Sequence, residues 1–131
     1  MAPLDQVRRV VEYALTEIPA EKLILGIPNY GYDFTLPYIR DVSKANVISN
    51  TEAVNLAAEK KAAIEFDETA MSPFFRYYEN GKQHEVWFED ARSIQAKLDL
   101  MDEKNLAGVS FWNLMNYFPQ SWAVLLDYCI T

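Results

Sequence analysis

Two short apolar runs constrain the fold of this chain more than any other part of its sequence. Leu23–Ile27 is an almost continuous apolar run closed by Pro28, and Val109–Trp112 is a second one, interrupted only by Ser110. Such runs are typical of strands covered on both faces, as in a parallel sheet, whereas half-exposed antiparallel strands alternate apolar and polar residues. Two such strands cannot form a self-sufficient sheet, because their faces and edges need neighbours. We therefore expect the chain to be an arc of a larger assembly.

Helical patterns precede both of these runs. Before the first run, apolar residues recur at helical spacing over Leu4–Leu15, and the predicted helix ends before Pro19. Before the second run, Asp90 is expected to cap a helix that extends to Lys104. Two further helices are predicted: Glu52 to about Lys61, with Thr51 as its N-cap, and Gln120 to Tyr128.

The segment between the two runs has the pattern of an antiparallel α+β unit. Residues 33–50 are polar and irregular, and we interpret them as a surface loop. Farther along, Asn80-Gly81 between two aromatic runs is a strong hairpin signal. The predicted strands are Ala62–Phe66, Phe74–Tyr78 and Lys82–Phe88.

Composition argues against several classes of function. A net charge of −7 over 131 residues leaves no basic stripe for phosphates, so nucleic-acid binding is not expected. No apolar run of about 18 residues and no signal-like start is visible, so no membrane segment is predicted. The single histidine, His84, has no cysteine near it and is interpreted as structural, so we expect no metal or other cofactor. The single cysteine, Cys129, is expected to be a buried free thiol.

The candidate site lies where the two apolar strands end. Trp112 ends the second run, and Asn29 and Tyr30 follow the first. The carboxyl ends of parallel strands meet at one edge, where α/β sheets and barrels keep their ligand sites, so these side chains should emerge on the same face. The alternatives are core packing for Trp112 and core or turn roles for Asn29 and Tyr30.

Longer stretches around both runs resemble family 18 glycoside hydrolases. KLILGIPNYGYDF is similar to the seventh strand and following loop of these enzymes, which usually read LGxPxYGR. HEVWFEDARSIQAKLDLMDEKNLAGVSFWNL is similar to their seventh helix and eighth strand. The segment between them resembles the α+β insertion domain of many chitinases. SPFFRYYENGKQHEVWFEDARS and FPQSW look closest to the bacterial spore-germination branch, whose enzymes cleave cortex peptidoglycan.

This resemblance implies a fold and a location. The implied fold class is α+β, with the last two β/α units of a (β/α)8 TIM barrel flanking an inserted antiparallel α+β domain. Residues 1–32 and 89–131 would form the barrel part, and residues 33–88 the insertion. The implied location is a bacterial spore or cell envelope. Exposed strand edges would then allow the chain to self-associate.

The implied activity is hydrolysis of β-1,4 bonds in a glycan that contains N-acetylglucosamine, such as peptidoglycan or chitin. In this family the 2-acetamido carbonyl of the substrate is the nucleophile, and a glutamic acid protonates the leaving oxygen. The catalytic signature DxxDxDxE is absent here, because Asp99, Asp102 and Glu103 lack its spacing. Met1 falls just after the expected sixth strand, so we assign no catalytic residue and expect the chain alone to be inactive. The alternative is a non-catalytic carbohydrate-binding or structural module.

The resemblance also implies roles for individual side chains. Trp112 would stack on a sugar ring, with Asn29 and Tyr30 beside it. Tyr32 stands where the family has a sugar-binding arginine, and with Asp33 it would line the rim of the cleft. On the hairpin, the candidates for substrate contact are Arg76 and Trp87, together with Tyr78 and Glu85.

Overall fold

The computed structural model of the chain describes residues 2–130 and shows an α+β fold. A short 3-10 turn, Ala20–Lys22, connects the first helix to the first strand. In chain order the elements are α1 (Leu4–Leu15), β1 (Ile24–Pro28), β2 (Tyr30–Thr35), β3 (Ala45–Ser49), α2 (Asn50–Glu59), β4 (Glu65–Asp67), β5 (Ser72–Glu79), β6 (Lys82–Trp87), α3 (Ala91–Glu103), β7 (Gly108–Trp112) and α4 (Pro119–Ile130).

β1 and β7 form a two-stranded parallel sheet, as the two apolar runs predict. Leu25 and Ile27 of β1 are buried against α1 and α3, and Val109 and Phe111 of β7 pack in the same layer. The alternate residues face the other way, because successive side chains of a strand point to opposite faces. On that side Ile24 is 64% exposed. The expectation that both faces are covered is therefore wrong for the described residues, whose helices cover one face.

The other strands form a five-stranded antiparallel sheet in the order β3-β2-β6-β5-β4. α2 lies on one face, where Ala53 and Ala57 pack against Phe75 and Val86. The hairpin between β5 and β6 turns at Asn80-Gly81, whose φ angles of 51° and 74° suit this pair, as the sequence predicts. The opposite face of the sheet carries aromatic side chains that remain partly exposed.

Residues 33–50 are not the continuous surface loop that their polar composition predicted. β2 continues through Asp33 to Thr35 and pairs with both β3 and β6. Asp and Asn are disfavoured in strands, so the composition of this segment predicted a loop where the structure has strands. Pairing with β6, about fifty residues away along the chain, overrides that weak local preference.

α2 begins two residues earlier than predicted, because Ser49 and not Thr51 is its N-cap. Ser49 Oγ accepts from the Glu52 N–H at 3.1 Å, and Glu52 Oε2 accepts from the Ser49 N–H at 2.9 Å. This reciprocal capping box satisfies two backbone donors at once. Asp90 caps α3 as predicted, and Ser93 completes a similar box there.

A buried ion pair joins α3 to Glu89, which lies two positions after the end of β6. Lys97 Nζ donates to both carboxylate oxygens of Glu89, at 2.8 and 2.9 Å, and Ser93 Oγ donates to the same carboxylate at 2.6 Å. Burial raises the pKa of Glu89, while Lys97 and Ser93 oppose that shift. Buried charges need such a complete set of partners, because removing each of them from water is costly.

None of the helices within residues 2–130 is long and apolar enough to cross a membrane. Cys129 on α4 is exposed, contrary to the expectation of a buried thiol. α4 packs on the core through Val124, Leu125 and Tyr128, and Cys129 lies outside this contact surface.

We predict that Gly31→Ala destabilises the fold. A Cβ at Gly31 would lie 2.3 Å from the Trp87 carbonyl oxygen and 2.7 Å from Phe88 Cβ, and neither the backbone of β6 nor buried Phe88 can move away easily. We expect a loss of about 1–3 kcal/mol in the free energy of unfolding, measured by urea denaturation. Gly26→Ala is the matched control, because no atom lies within 4 Å of its added Cβ. Equal midpoints for the two variants would contradict this prediction.

Candidate functional site

A cleft of about 460 Å³ opens at the carboxyl ends of β1 and β7, beside the start of β2. Ser110 and Trp112 of β7 line it on one side, and Gly26 and Pro28 of β1 lie on the same open face. Two tyrosines of β2, Tyr30 and Tyr32, complete the wall. The structure thus brings together the side chains that the strand ends were predicted to present, with the exception of Asn29.

Trp112 stands in this cleft as an accessible indole. Strand alternation sends Val109 and Phe111 into the helical layer and leaves Ser110 and Trp112 on the open face. Trp112 is 72% exposed, so it is not a core residue of the described structure. The peptide bond from Trp112 to Asn113 is cis.

The two tyrosines of the cleft contact each other edge to face. The ring centroids of Tyr30 and Tyr32 are 5.7 Å apart, with an angle of 87° between the rings. Burial, and then the neighbouring Tyr32 hydroxyl, raise the pKa of Tyr30. The Tyr30 phenol therefore remains protonated near neutral pH. A tyrosine hydroxyl at the cleft wall can both donate and accept hydrogen bonds.

The open face of the five-stranded sheet continues this wall. Tyr32 pairs across the strands with Trp87, and Trp87 pairs with Phe74, whose ring stacks on the indole at 4.5 Å. Trp87 Nε1 donates to Glu85 Oε1 at 2.7 Å, and Arg76 Nε donates to Glu85 Oε2 at 2.7 Å. One carboxylate thus orients both the indole and the guanidinium.

Asn29 is placed behind the cleft and not in its wall. Asn29 is only 8% exposed, and its Nδ2 donates to the backbone carbonyls of Asn113, at 3.2 Å, and Asn116. Its backbone N–H donates to the Trp112 carbonyl at 2.8 Å. Of the two roles that the sequence left open for Asn29, this geometry favours the turn role.

Asp33 lies on the opposite face of the sheet from Tyr32, so its predicted place at the rim of the Trp112 cleft is wrong. Tyr77 Oη donates to Asp33 Oδ2 at 2.5 Å, and His84 Nδ1 lies 2.9 Å from Asp33 Oδ1. The His84 ring also stacks on Tyr77 at 4.7 Å. Burial and the Asp33 carboxylate raise the pKa of Tyr77. His84 is therefore a structural histidine, as predicted.

The described part of the chain contains no group of three or more His, Cys, Asp or Glu side chains placed to bind a metal ion. Sequence reasoning missed Phe74 and Phe34, although both continue the alternation of aromatic residues along their strands. It also missed Asn50, which is buried and bonded to Asn29 and Glu89. No local pattern could have identified Asn50, because its partners lie 21 and 39 residues away.

The sequence matches a known family and named relatives. A sequence model described as glycosyl hydrolases family 18 matches residues 2–116. The chain is 50% identical over 128 residues to the cortical fragment-lytic enzyme of Bacillus subtilis (strain 168), covering 97% of this chain and 30% of that protein. It is 41% identical over 128 residues to the enzyme of the same name from Bacillus cereus, again covering 97% and 30%.

Solved structures share the fold. The spore cortex-lytic enzyme SleL of Bacillus megaterium QM B1551 aligns with a TM-score of 0.89 and 51% identity, covering 97% of this chain and 30% of that one. A chitinase from Chromobacterium violaceum ATCC 12472 aligns with a TM-score of 0.87 and 28% identity, covering 100% and 40%. The chain thus spans about 30% of the length of the relatives that it matches at 41–50% identity.

Proposed function

This chain belongs to glycosyl hydrolase family 18, and from that membership we propose that it forms part of the substrate-binding site of a glycosidase. The substrate would be a β-1,4-linked glycan that contains N-acetylglucosamine. The names of the Bacillus relatives support cortex peptidoglycan as that glycan, and a location in the bacterial spore or cell envelope. The chitinase structure supports the more general class of N-acetylglucosamine polymers.

The observation that carries this proposal is the exposed indole of Trp112 opposite Tyr30 and Tyr32. A flat aromatic face binds the C–H face of a pyranose by burying apolar area with a preferred orientation. The phenol hydroxyls beside it offer donors and acceptors for the sugar's hydroxyl and acetamido groups. Trp87 and Arg76 would extend the binding surface along the glycan, because their wall is continuous with Tyr32.

In this proposal the chain holds the glycan and does not cleave it. The carbonyl of the substrate's 2-acetamido group would attack the anomeric carbon, and a carboxylic acid must protonate the leaving oxygen. Among the described residues that line the Trp112 cleft there is no Asp or Glu. This lining supports the proposal that the acid is supplied by a part of the enzyme other than this chain. The same observation supports, as a second candidate, a non-catalytic carbohydrate-binding module.

We also propose how the chain is divided. β1 and β7 would be the last two strands of a (β/α)8 TIM barrel, to which residues 1–32 and 89–131 contribute, and residues 33–88 would be its insertion domain. The parallel register of β1 and β7, with the helices on a single face, supports this division. The open face would then be the interior of the barrel, where the small residues Gly26 and Ser110 leave room for other strands' side chains.

We predict that Trp112→Ala weakens the binding of chitotetraose or of cortex glycan fragments about two- to tenfold, taking the roughly 0.5–1.5 kcal/mol of an aromatic pair as the scale for stacking on a sugar. Isothermal titration calorimetry measures the affinity. Met115→Ala is the matched control, because Met115 is a large, exposed apolar residue three positions after Trp112 that does not line the cleft. Unchanged affinity in Trp112→Ala would contradict the placement of the sugar.

We predict that the purified chain releases no reducing ends from chitin or cortex glycan, because none of the described residues that line the Trp112 cleft carries a carboxylic acid to protonate a leaving oxygen. A reducing-sugar assay measures this, and a full-length enzyme of the family acting on the same glycan is the positive control. Steady release of product by the chain would overturn its assignment as a binding part.

We predict that the chain self-associates through the free edges of β1 and β7, because unpaired backbone groups and the exposed Ile24 side chain favour strand addition. Sedimentation velocity should show an average mass that rises with concentration, and Ile24→Lys should reduce the rise. A single monomeric species across the concentration range would refute the prediction.

A further inference from the structure

A network of hydrogen-bonded, buried amides lies between the two sheets. Asn50 is 1% exposed, its Oδ1 accepts from the Glu89 N–H at 3.0 Å, and its Nδ2 approaches Asn29 Oδ1 at 3.4 Å. Asn50 directly follows β3, and Glu89 lies two residues after the end of β6, so both lie at the end of the five-stranded sheet. Asn29 follows β1 of the parallel sheet. Asn29 also directly precedes β2, so the Asn50 carboxamide connects Glu89 to the junction between the two sheets.

From Asn29 the hydrogen bonds continue to Trp112 and to the loop that follows it. Asn29 Nδ2 donates to the carbonyls of Asn113 and Asn116, which follow Trp112. The Asn29 N–H donates to the carbonyl of Trp112 itself. The backbone that carries the indole is thus held by one asparagine, and that asparagine is in turn held by Asn50.

At its other end, this hydrogen-bond network is anchored in the core by Glu89. Glu89 is fixed by Lys97 and Ser93, and all three residues are at most 1% exposed. A residue that bridges Glu89 and Asn29 must accept on one side and donate on the other, which an asparagine carboxamide does with a single side chain. An apolar residue at position 50 would leave the buried Glu89 N–H without this partner. An unsatisfied buried donor lowers the stability of the fold, and such donors are rare in folded proteins.

We propose that Asn50 is a positioning residue for the glycan cleft. Through Asn29 it sets the position of Trp112 relative to the aromatic wall that the side chains of Tyr32 and Trp87 form. Asn50 is absent from the residues that line the cleft, so it acts through Asn29 and the loop 113–117 and not by touching the sugar. Thr51 Oγ1, which donates to the Tyr117 carbonyl at 3.1 Å, ties the same loop to the same end of α2. The proposal rests on the proposed glycan-binding function.

The first test measures the loop and needs no ligand. Amide hydrogen exchange of residues 113–117 and of Asn29 is compared in the native chain, in Asn50→Ala and in the milder Asn50→Ser. Asn55→Ala is the matched control, because Asn55 is an exposed asparagine on the same helix. We expect exchange in the loop to rise about tenfold more than exchange in the β5–β6 hairpin. An equal rise in both regions would show a general loss of stability and would overturn the proposal.

The second test separates positioning from mere support of the fold. Affinity for chitotetraose is measured by calorimetry in Asn50→Ser, in Trp112→Phe and in the double variant, at a temperature where urea denaturation shows all of them folded. If Asn50 acts through Trp112, its substitution weakens binding about tenfold in the native chain and has much less effect beside Trp112→Phe. Fully additive losses would overturn the proposal.

Failure of this proposal and failure of the proposed function give different results. If the native chain binds neither chitotetraose nor cortex fragments, the proposed function is refuted, while the exchange experiment still decides whether Asn50 holds the Trp112 loop. If the native chain binds glycan but Asn50→Ser binds it equally well, the proposed function stands and the positioning role is refuted.

Discussion

The buried ion pair of Glu89 and Lys97 is the interaction on which the arrangement of the two sheets depends. Each charge is removed from water, so the pair is stable only because Lys97 and Ser93 together satisfy the Glu89 carboxylate. Losing one partner of such a pair typically costs about 3–5 kcal/mol. Ser93 and Lys97 hold the first half of α3 against Glu89, just after the end of β6, and the Glu89 N–H donates to Asn50. Under the positioning role that we propose for Asn50, the position of the candidate cleft would depend on that anchor.

In each of the two sheets, helices cover one face and the other face is open. The candidate site includes both open faces. Helices bury the apolar layer of β1 and β7 and one face of the five-stranded sheet. The remaining faces carry aromatic side chains, with Trp112 on one sheet and Tyr32 and Trp87 on the other. Exposed aromatic residues grouped in this way are typical of binding surfaces, because they lose water when a ligand covers them.

Much of the fold could be predicted from short-range patterns. The parallel pair of strands, the Asn80-Gly81 hairpin and the Asp90 cap each depend on a few neighbouring residues, and all three are confirmed. The interpretation of residues 33–50 as a loop failed because a polar strand is stabilised by its partner β6, which local propensity does not include. The site was predicted in part. Trp112, Tyr30 and Tyr32 meet in one cleft, whereas Asn29 lies behind it and Asp33 lies on the other face.

By itself, the sequence determined the types of element, the face on which each strand residue lies, and membership of family 18, because periodicity, turn chemistry and motif wording are properties of contiguous residues. Only the tertiary structure decided which polar side chains hold the site together. Asn29 and Asn50 are ordinary asparagines in the sequence, and their role arises from hydrogen bonds to residues 21 to 87 positions away. Burial then makes those bonds obligatory, since a buried amide without a partner is costly, and burial is a property of the packed chain alone.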